Sequence, residues 1–269
     1  NIKAVSEHVR IKETGQYDLG SVLRLSGARG EKVFGQVLLI TDLKEYVNEI
    51  KIHAFKNEGK IEEIDAQIFW EYFVNIKKPS CSYGGTGKYP EVLIPAEYIV
   101  KTAHATIEPD KNRALLISVS LPKNAEKGKY FSCMEVICKN SKIQIPIELT
   151  VYDFSLPEQN HSRTAFAIFF KNYSYKNKTE FPCHDLFDEY KSTYDLLKSF
   201  RVSAAEIPVR SAERPEYCAC WGNFTCAYEP HRGIAETDLD NFVAAAKKYT
   251  EDPEVSAYAL PYRSYTDEN

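Results

Sequence analysis

Ile143-Gln-Ile-Pro-Ile-Glu-Leu-Thr-Val-Tyr-Asp-Phe-Ser-Leu-Pro157 is the stretch on which the fold turns. Its first nine residues alternate, apolar side chains at every second position, which is the period of a strand with one buried face. Pro146 interrupts the row of N–H donors and favours an edge strand. Leu156-Pro157 ends the run, and beyond it strand-like and helix-like segments begin to alternate. A domain boundary is therefore expected near residue 160.

Upstream, the chain reads as short β-rich runs separated by turn chemistry. Val22 to Leu25, Val33 to Thr41, Ile50 to Phe55, Ile68 to Ile76, Arg113 to Leu121, Tyr130 to Cys138 and Ile143 to Tyr152 are rich in Val, Ile, Leu, Phe and Tyr. Gly30, Asn57-Glu-Gly59, Asn124 to Gly128 and Asn140-Ser141 fall between them as turns. Strands at this spacing predict a β-sandwich over residues 1–157, two sheets burying alternate side chains against each other.

Downstream, Thr164 to Phe170 is a near-continuous apolar run, as in a parallel strand covered on both faces. Asp185 to Phe200 places Phe187, Tyr190, Tyr194 and Leu197 at helical spacing, and Val202 to Val209 returns as a strand. Thr237 is an expected N-cap for a helix whose Leu239, Phe242, Val243, Ala246 and Tyr249 share a face and which Pro253 ends; Val255 to Leu260 is a third strand. Strand, helix, strand, helix, strand gives right-handed crossovers and a parallel sheet. No Gly-x-Gly-x-x-Gly follows the first strand, where Lys171-Asn-Tyr-Ser-Tyr-Lys stands instead, so a dinucleotide-binding fold is excluded. The pattern over 158–269 predicts the first βα units of a (β/α)8 barrel, about three strands of a fold that takes roughly 250 residues, so a truncated barrel is expected.

Thirty-four Lys plus Arg against 38 Asp plus Glu leave a net charge of −4, no field to attract phosphates, and nucleic acid is excluded as a partner. No apolar run approaches the roughly 20 residues of a membrane span. Seven cysteines, three of them clustered at Cys218, Cys220 and Cys226 with Cys183, His184 and His231 elsewhere, leave zinc, one local disulfide and ordinary thiols all open, and the odd count leaves at least one thiol unpaired within the chain. Cys-x-Cys lacks the usual zinc spacer, so no metal and no cofactor is expected. Asn160-His-Ser, Asn172-Tyr-Ser, Asn177-Lys-Thr and Asn223-Phe-Thr fit the glycosylation pattern.

Several segments follow one another in a distinctive order: Phe34-Gly-Gln-Val-Leu-Leu, Gly87-Lys-Tyr-Pro-Glu-Val-Leu-Ile-Pro, Leu121-Pro-Lys-Asn-Ala-Glu-Lys-Gly-Lys-Tyr and Leu149-Thr-Val-Tyr-Asp-Phe-Ser-Leu-Pro. With Arg163-Thr-Ala-Phe and Tyr194-Asp-Leu-Leu-Lys-Ser-Phe-Arg-Val, they resemble the N-terminal β-sandwich and barrel entry of glycoside hydrolase family 123 and its relatives carrying the domain of unknown function 4091. The resemblance implies an enzyme that cleaves β-linked N-acetylgalactosamine, the sugar's own acetamide oxygen attacking the anomeric carbon while an adjacent Asp-Glu pair orients the acetamide and protonates the leaving oxygen. In the family that pair follows a later barrel strand than any expected here, which places the catalytic residues outside this chain. Asp267-Glu268 follows the third strand through a loop-like Arg263-Ser-Tyr-Thr and is read as a solvated tail.

The candidate sugar contacts are Glu206 and Arg210 after the second strand, Tyr262 and Arg263 after the third, and Trp221 in the aromatic-rich excursion with Tyr217, Phe224 and Tyr228. Arg and carboxylate bind hydroxyls in pairs and flat aromatic faces suit sugar rings. Each has a plainer reading as surface charge, ion-pair partner or loop plug. The leading expectation is the N-terminal part of a glycosidase with a carbohydrate substrate, at an extracellular or cell-surface site. The alternative is a non-catalytic carbohydrate-binding or cell-surface module. Limited proteolysis is expected to cut near residue 160 and to leave a resistant core of the first domain on a gel; uniform digestion would refute that boundary.

Overall fold

The computed structural model describes residues 1–79, 85–102, 105–166, 168, 187–205, 207–208 and 239–260. The chain divides into two compact units, Asn1–Leu156 and Pro157–Asn269. The first is mostly β-sheet. Its strands are β1 (Ile2–Val5), β2 (Leu23–Arg29), β3 (Lys32–Leu39), β4 (Glu45–Ile52), β5 (Phe55–Asn57), β6 (Lys60–Glu62), β7 (Asp65–Ile76), β8 (Gly87–Pro95), β9 (Thr106–Ile107), β10 (Arg113–Ser120), β11 (Gly128–Cys138) and β12 (Lys142–Ser155), with one short helix, α1 (Ala96–Lys101).

Two sheets form, as in a β-sandwich. One runs β1-β3-β10-β7-β8, all antiparallel; the other runs β2-β12-β11-β4-β9, with the β5-β6 hairpin attached to β11. Alternation in the sequence decides which side chains meet. Leu115, Ile117 and Val119 of β10 and Val33, Val37 and Leu39 of β3 share one buried cluster with Tyr130, Met134 and Val136 of β11 and Ile145, Ile147, Leu149 and Val151 of β12. Each such side chain contributes about 1.5–3 kcal/mol by leaving water.

The corner between the sheets needs two glycines. β2 and β3 are consecutive in the chain but belong to different sheets, and Gly30 turns between them at φ +78°. Gly35 lets β2 approach, since a Cβ there would stand 2.6 Å from the Leu25 side chain and 2.8 Å from that of Leu23.

The first sheet is covered on its other face too. Ile11, Val5, Leu38 and Ala114 form a second cluster, with Tyr17, Ile40 and Phe73 packed on it. This explains why Val37, Leu38 and Leu39 are all buried. The covering segment is pinned through its backbone: the Asn112 side-chain amide donates to the carbonyls of Lys12 (3.0 Å) and Gly15 (3.1 Å), and Gly20 and Ala4 exchange hydrogen bonds of 2.8 and 2.9 Å.

The solvent-side face of the second sheet carries a charge hub. Glu135 on β11 lies directly across from Lys51 on β4 and Gln144 on β12. Its carboxylate takes Lys142 Nζ at 2.6 Å, Gln144 Nε2 at 2.5 Å, Lys51 Nζ at 3.4 Å and His53 Nε2 at 3.6 Å. The Lys142 bond, helped by Gln144 and Lys51 against the cost of burial, holds its pKa at about 2.

Pro146 does not sit on an edge strand, because β12 lies between β2 and β11. Its pairing with β2 begins only at Ile147, so beside Pro146 that flank of the strand is locally an edge and no ladder bond is forfeited.

In the second unit, α2 (Phe187–Ser199) buries Tyr190 and Tyr194, and α3 (Leu239–Thr250) buries Phe242, around Ala204 and Ile207. Val243, expected on the same face, is exposed; Ala245 takes its place against the cluster. Among the described residues Phe166 and Ala204 form a parallel bridge. The apolar run around them is not covered on both faces, since Phe166 is exposed while Ile168 packs inward. Ile117→Ala, which deletes a fully buried side chain from the centre of the sandwich, should lower the unfolding free energy of the first unit by about 2–5 kcal/mol in urea titration.

Candidate functional site

The second unit holds the segments from which a site was expected, and its described residues show how they are aligned. Phe166 N–H donates to the Ser203 carbonyl at 3.0 Å and Ala205 N–H donates to the Phe166 carbonyl at 2.8 Å, the alternation of a parallel ladder. Ala259 N–H donates to the Ala205 carbonyl at 2.7 Å and brings a third segment alongside.

Just before these paired residues the three segments are tied by hydroxyls. Ser203 N–H donates to Thr164 Oγ1 at 2.7 Å, Ser256 N–H to Ser203 Oγ at 2.9 Å and Thr164 N–H to Ser256 Oγ at 3.4 Å, while the two serine hydroxyls lie 3.1 Å apart. Each segment thus lends a short hydroxyl to a neighbour's backbone and fixes the stagger between them. This seam holds no carboxylate or other acid–base group. It marks the starting ends of the segments; the candidates for chemistry come after the paired residues.

The helices are anchored at the same end. α2 closes in a Schellman motif: Val202 N–H reaches the Leu197 carbonyl at 3.0 Å and Arg201 N–H the Lys198 carbonyl at 2.8 Å, with Arg201 at φ +61°, where glycine is usual. Asn160 holds that strained residue. Its side-chain N–H donates to the Arg201 carbonyl at 2.7 Å, its Oδ1 accepts from Ser162 N–H at 3.1 Å, and its own N–H donates to the Pro253 carbonyl at 2.8 Å. Asn160 is buried, so this glycosylation pattern is a structural latch in the folded protein.

Electrostatics in this unit are local. Lys198 Nζ meets Asp252 at 2.8 Å and Glu254 at 3.6 Å, and the Asp252 bond raises the ammonium. Burial of Asp252 favours its acid form, but Lys198 and the Glu254 N–H outweigh it and the carboxyl stays below its ordinary range. Burial pushes the Tyr249 phenol up to about 12 and that of Tyr194, edge-on to it at 5.2 Å, upward as well. These tyrosines serve as core, not as proton carriers.

Glu206, Arg210, Trp221, Tyr262 and Arg263 all lie outside the described residues, as do Asp267-Glu268 and the cluster Cys218, Cys220 and Cys226 with Cys183, His184 and His231. Ile207 and Pro208, between the first two, are described and buried, and Leu260, just ahead of Tyr262, is exposed. Among the described residues no group of three or more His, Cys, Asp or Glu could hold a metal ion, and Cys133 and Cys138 are free thiols. No helix of the described residues is long and apolar enough to cross a membrane. Sequence reasoning overlooked the roles of Thr164, Ser203 and Ser256 and read Asn160 as a glycosylation pattern. Small hydroxyls carry no periodic signal, and only the recurrence of Ser or Thr at the head of three successive apolar runs hinted at the seam.

The sandwich offers a cleft of about 350 Å³ beside Lys12, Thr86, Lys88 and Tyr89. One face of the Tyr89 ring is already covered by the Arg10 guanidinium at 4.4 Å.

Residues 6–138 match the glycoside hydrolase 123 N-terminal domain. No curated protein matches the chain. Among solved structures the chain is similar to a family 123 glycoside hydrolase from Clostridium perfringens, solved for the details of glycolipid glycan hydrolysis, at 18% identity and a TM-score of 0.51. The similarity covers 72% of this chain and 35% of that one, so this chain spans about a third of its length. The CooA pilin subunit of enterotoxigenic Escherichia coli follows at 11% identity and a TM-score of 0.24, covering 58% of this chain and 99% of that one, and carries nothing further. The expected resemblance to the N-terminal portion of family 123 is thereby shown.

Ser203→Ala removes the hydroxyl that meets both the N–H and the hydroxyl of Ser256 and leaves the Ser256 N–H without its acceptor. Loss of about 1–3 kcal/mol from the second unit is expected in hydrogen exchange of the α2 and α3 amides, with the sandwich amides unchanged.

Proposed function

We infer, from the family 123 N-terminal domain that residues 6–138 match, that this chain is the leading part of a glycoside hydrolase acting on glycans with β-linked N-acetylhexosamine. The reading is N-acetyl-β-galactosaminidase-like. The C. perfringens relative's action on glycolipid glycans makes that class of glycan the substrate to try first. The family match carries the proposal. The parallel bridge between Phe166 and Ala204 supports it, because it suits two neighbouring strands at the opening of a (β/α)8 barrel.

In this reading the acetamide oxygen of the substrate attacks the anomeric carbon as the glycosidic bond breaks. A carboxyl of an Asp-Glu pair delivers its proton to the leaving oxygen, and its partner orients the acetamide. The acid must keep its proton near neutral pH, which needs a partly desolvated site. That pair belongs to a later strand, beyond the residues of this chain. Glu206, Arg210, Tyr262 and Arg263, each shortly after a segment that the seam aligns, would hold sugar hydroxyls, and Trp221 would stack on a ring. Catalysis would use no cofactor and take place outside the cell or at its surface.

One observation favours a second reading, a non-catalytic carbohydrate-binding module. Tyr152 and Phe154 on β12 are both exposed, with rings 5.8 Å apart and within 4° of parallel, beside Asp153 and its partners Arg29 and Lys127.

The test is to express this sequence with the codons that follow it and assay an aryl N-acetyl-β-galactosaminide. The longer product should release the aryl group, Arg210→Ala should lower kcat/KM by about tenfold or more, and the 269-residue chain alone should be inactive. An inactive longer product, with glycan retention by the chain alone that Tyr152→Ala or Trp221→Ala abolishes, would replace the hydrolase with the binding module.

A further inference from the structure

The outer face of the first sheet buries two polar side chains that no sugar chemistry uses. Gln36 on β3 and Glu71 on β7 are 4% and 3% exposed. They are joined across β10 by one hydrogen bond, Gln36 Nε2 to Glu71 Oε1, of 2.7 Å. Two residues along the same strands, Leu38 and Phe73 belong to the apolar cluster of this face, with Ala114, Ile11 and Tyr17.

The bond leaves the amide half satisfied. Gln36 Oε1 is buried and has no donor. An ionised Glu71 cannot help it, because a carboxylate only accepts. It would bring a full charge into an apolar layer against a single neutral donor, an arrangement whose cost a protein avoids by leaving the group neutral.

We propose that Glu71 keeps its proton in the folded protein and donates it from Oε2 to Gln36 Oε1, closing an acid–amide ring that locks β3 to β7 and weakens as the pH rises. One proton thus satisfies the orphaned amide oxygen and removes the buried charge. Burial acts in the same direction, raising the carboxyl above its ordinary value against the opposing Gln36 bond.

The charged groups on the flanking elements do not change this. Arg113 on β10 stacks on Trp70 and Phe73, Glu91 on β8 pairs with Arg10, and Glu13 of the covering segment pairs with Lys88. Lys3 on β1, Lys32 on β3, Asp65 on β7, Tyr89 on β8, and Lys12, Tyr17 and Asp18 of the covering segment are further titratable groups of these elements. None is among the causes that move Glu71, which are burial and Gln36. The sign follows. An acid that holds its proton more tightly folded than unfolded contributes all its stability below the unfolded value of 4.5 and loses it as the pH rises through the folded value. The Glu135 hub works the other way, giving stability above 4.5 that is lost as the pH falls towards about 2.

The test is made on the whole chain. Infrared difference spectroscopy near neutral pH should show the carbonyl stretch of an un-ionised carboxylic acid, and Glu71→Gln should remove it. The variant retains both hydrogen bonds, since its amide can donate to Gln36 Oε1 and accept from Gln36 Nε2. Its urea midpoint for the first unit should therefore decline less than that of the wild type between about pH 5 and 8. Absence of the un-ionised band in the wild type would overturn the proposal without requiring any variant to fold. Parallel pH profiles for the two proteins would overturn it equally.

Discussion

Removal of water from between two β-sheets is the constraint on which the first unit rests. Leu115, Ile117 and Val119 from one side and Ile145, Ile147 and Leu149 from the other are effectively without solvent contact, and side chains at alternate positions have no other way to reach that layer. A slip of one residue would turn each strand inside out. The long ladders enforce the register: β10 pairs with β3 from Arg113↔Leu39 to Ser120↔Lys32, and β11 with β12 from Gly128↔Val151 to Ile137↔Lys142.

Once the slab is dry, each polar group trapped near it needs its own solution. Glu135 keeps its charge because Lys142, Gln144 and Lys51 bond to it at the sheet surface. Arg113 lies over the rings of Trp70 and Phe73 at 5.3 and 5.5 Å, which attract a cation with poor access to water. Glu71 has only an amide for company. Three ionisable side chains of one fold thus meet burial with ion pairing, aromatic stacking and proton retention.

Much of this was legible in the sequence where strands alternate and are bounded by turns. The runs from Val33, Ile68, Arg113, Tyr130 and Ile143 appear as β3, β7, β10, β11 and β12. The expected strand Ile50 to Phe55 is instead a step between β4 and β5, because the longer β11 pairs with both, Met134 opposite Ile52 and Phe131 opposite Lys56. β8 escaped notice because Pro90 and Pro95 argue against a strand; it lies at an edge of its sheet, where a missing N–H is tolerated. The helices of the second unit were legible from Tyr190, Tyr194 and Phe242. The hydroxyl seam was not, since Thr164, Ser203 and Ser256 come together only through tertiary structure. The candidate sugar contacts rest on the order of segments and family likeness, because Arg, Glu and Trp in loops look alike whether they bind a ligand or water.

β12 has a mechanical consequence. It runs fourteen residues, antiparallel to β11 on one flank and parallel to β2 on the other, and leads directly into Leu156, whose N–H is held by the Arg29 carbonyl at 2.9 Å. Tension directed along the axis of β12 would act across the hydrogen bonds on both flanks. Those bonds are loaded in shear and share the force, instead of parting one after another like a zip. A pull along β12 is thus one that the sandwich resists with two ladders at once.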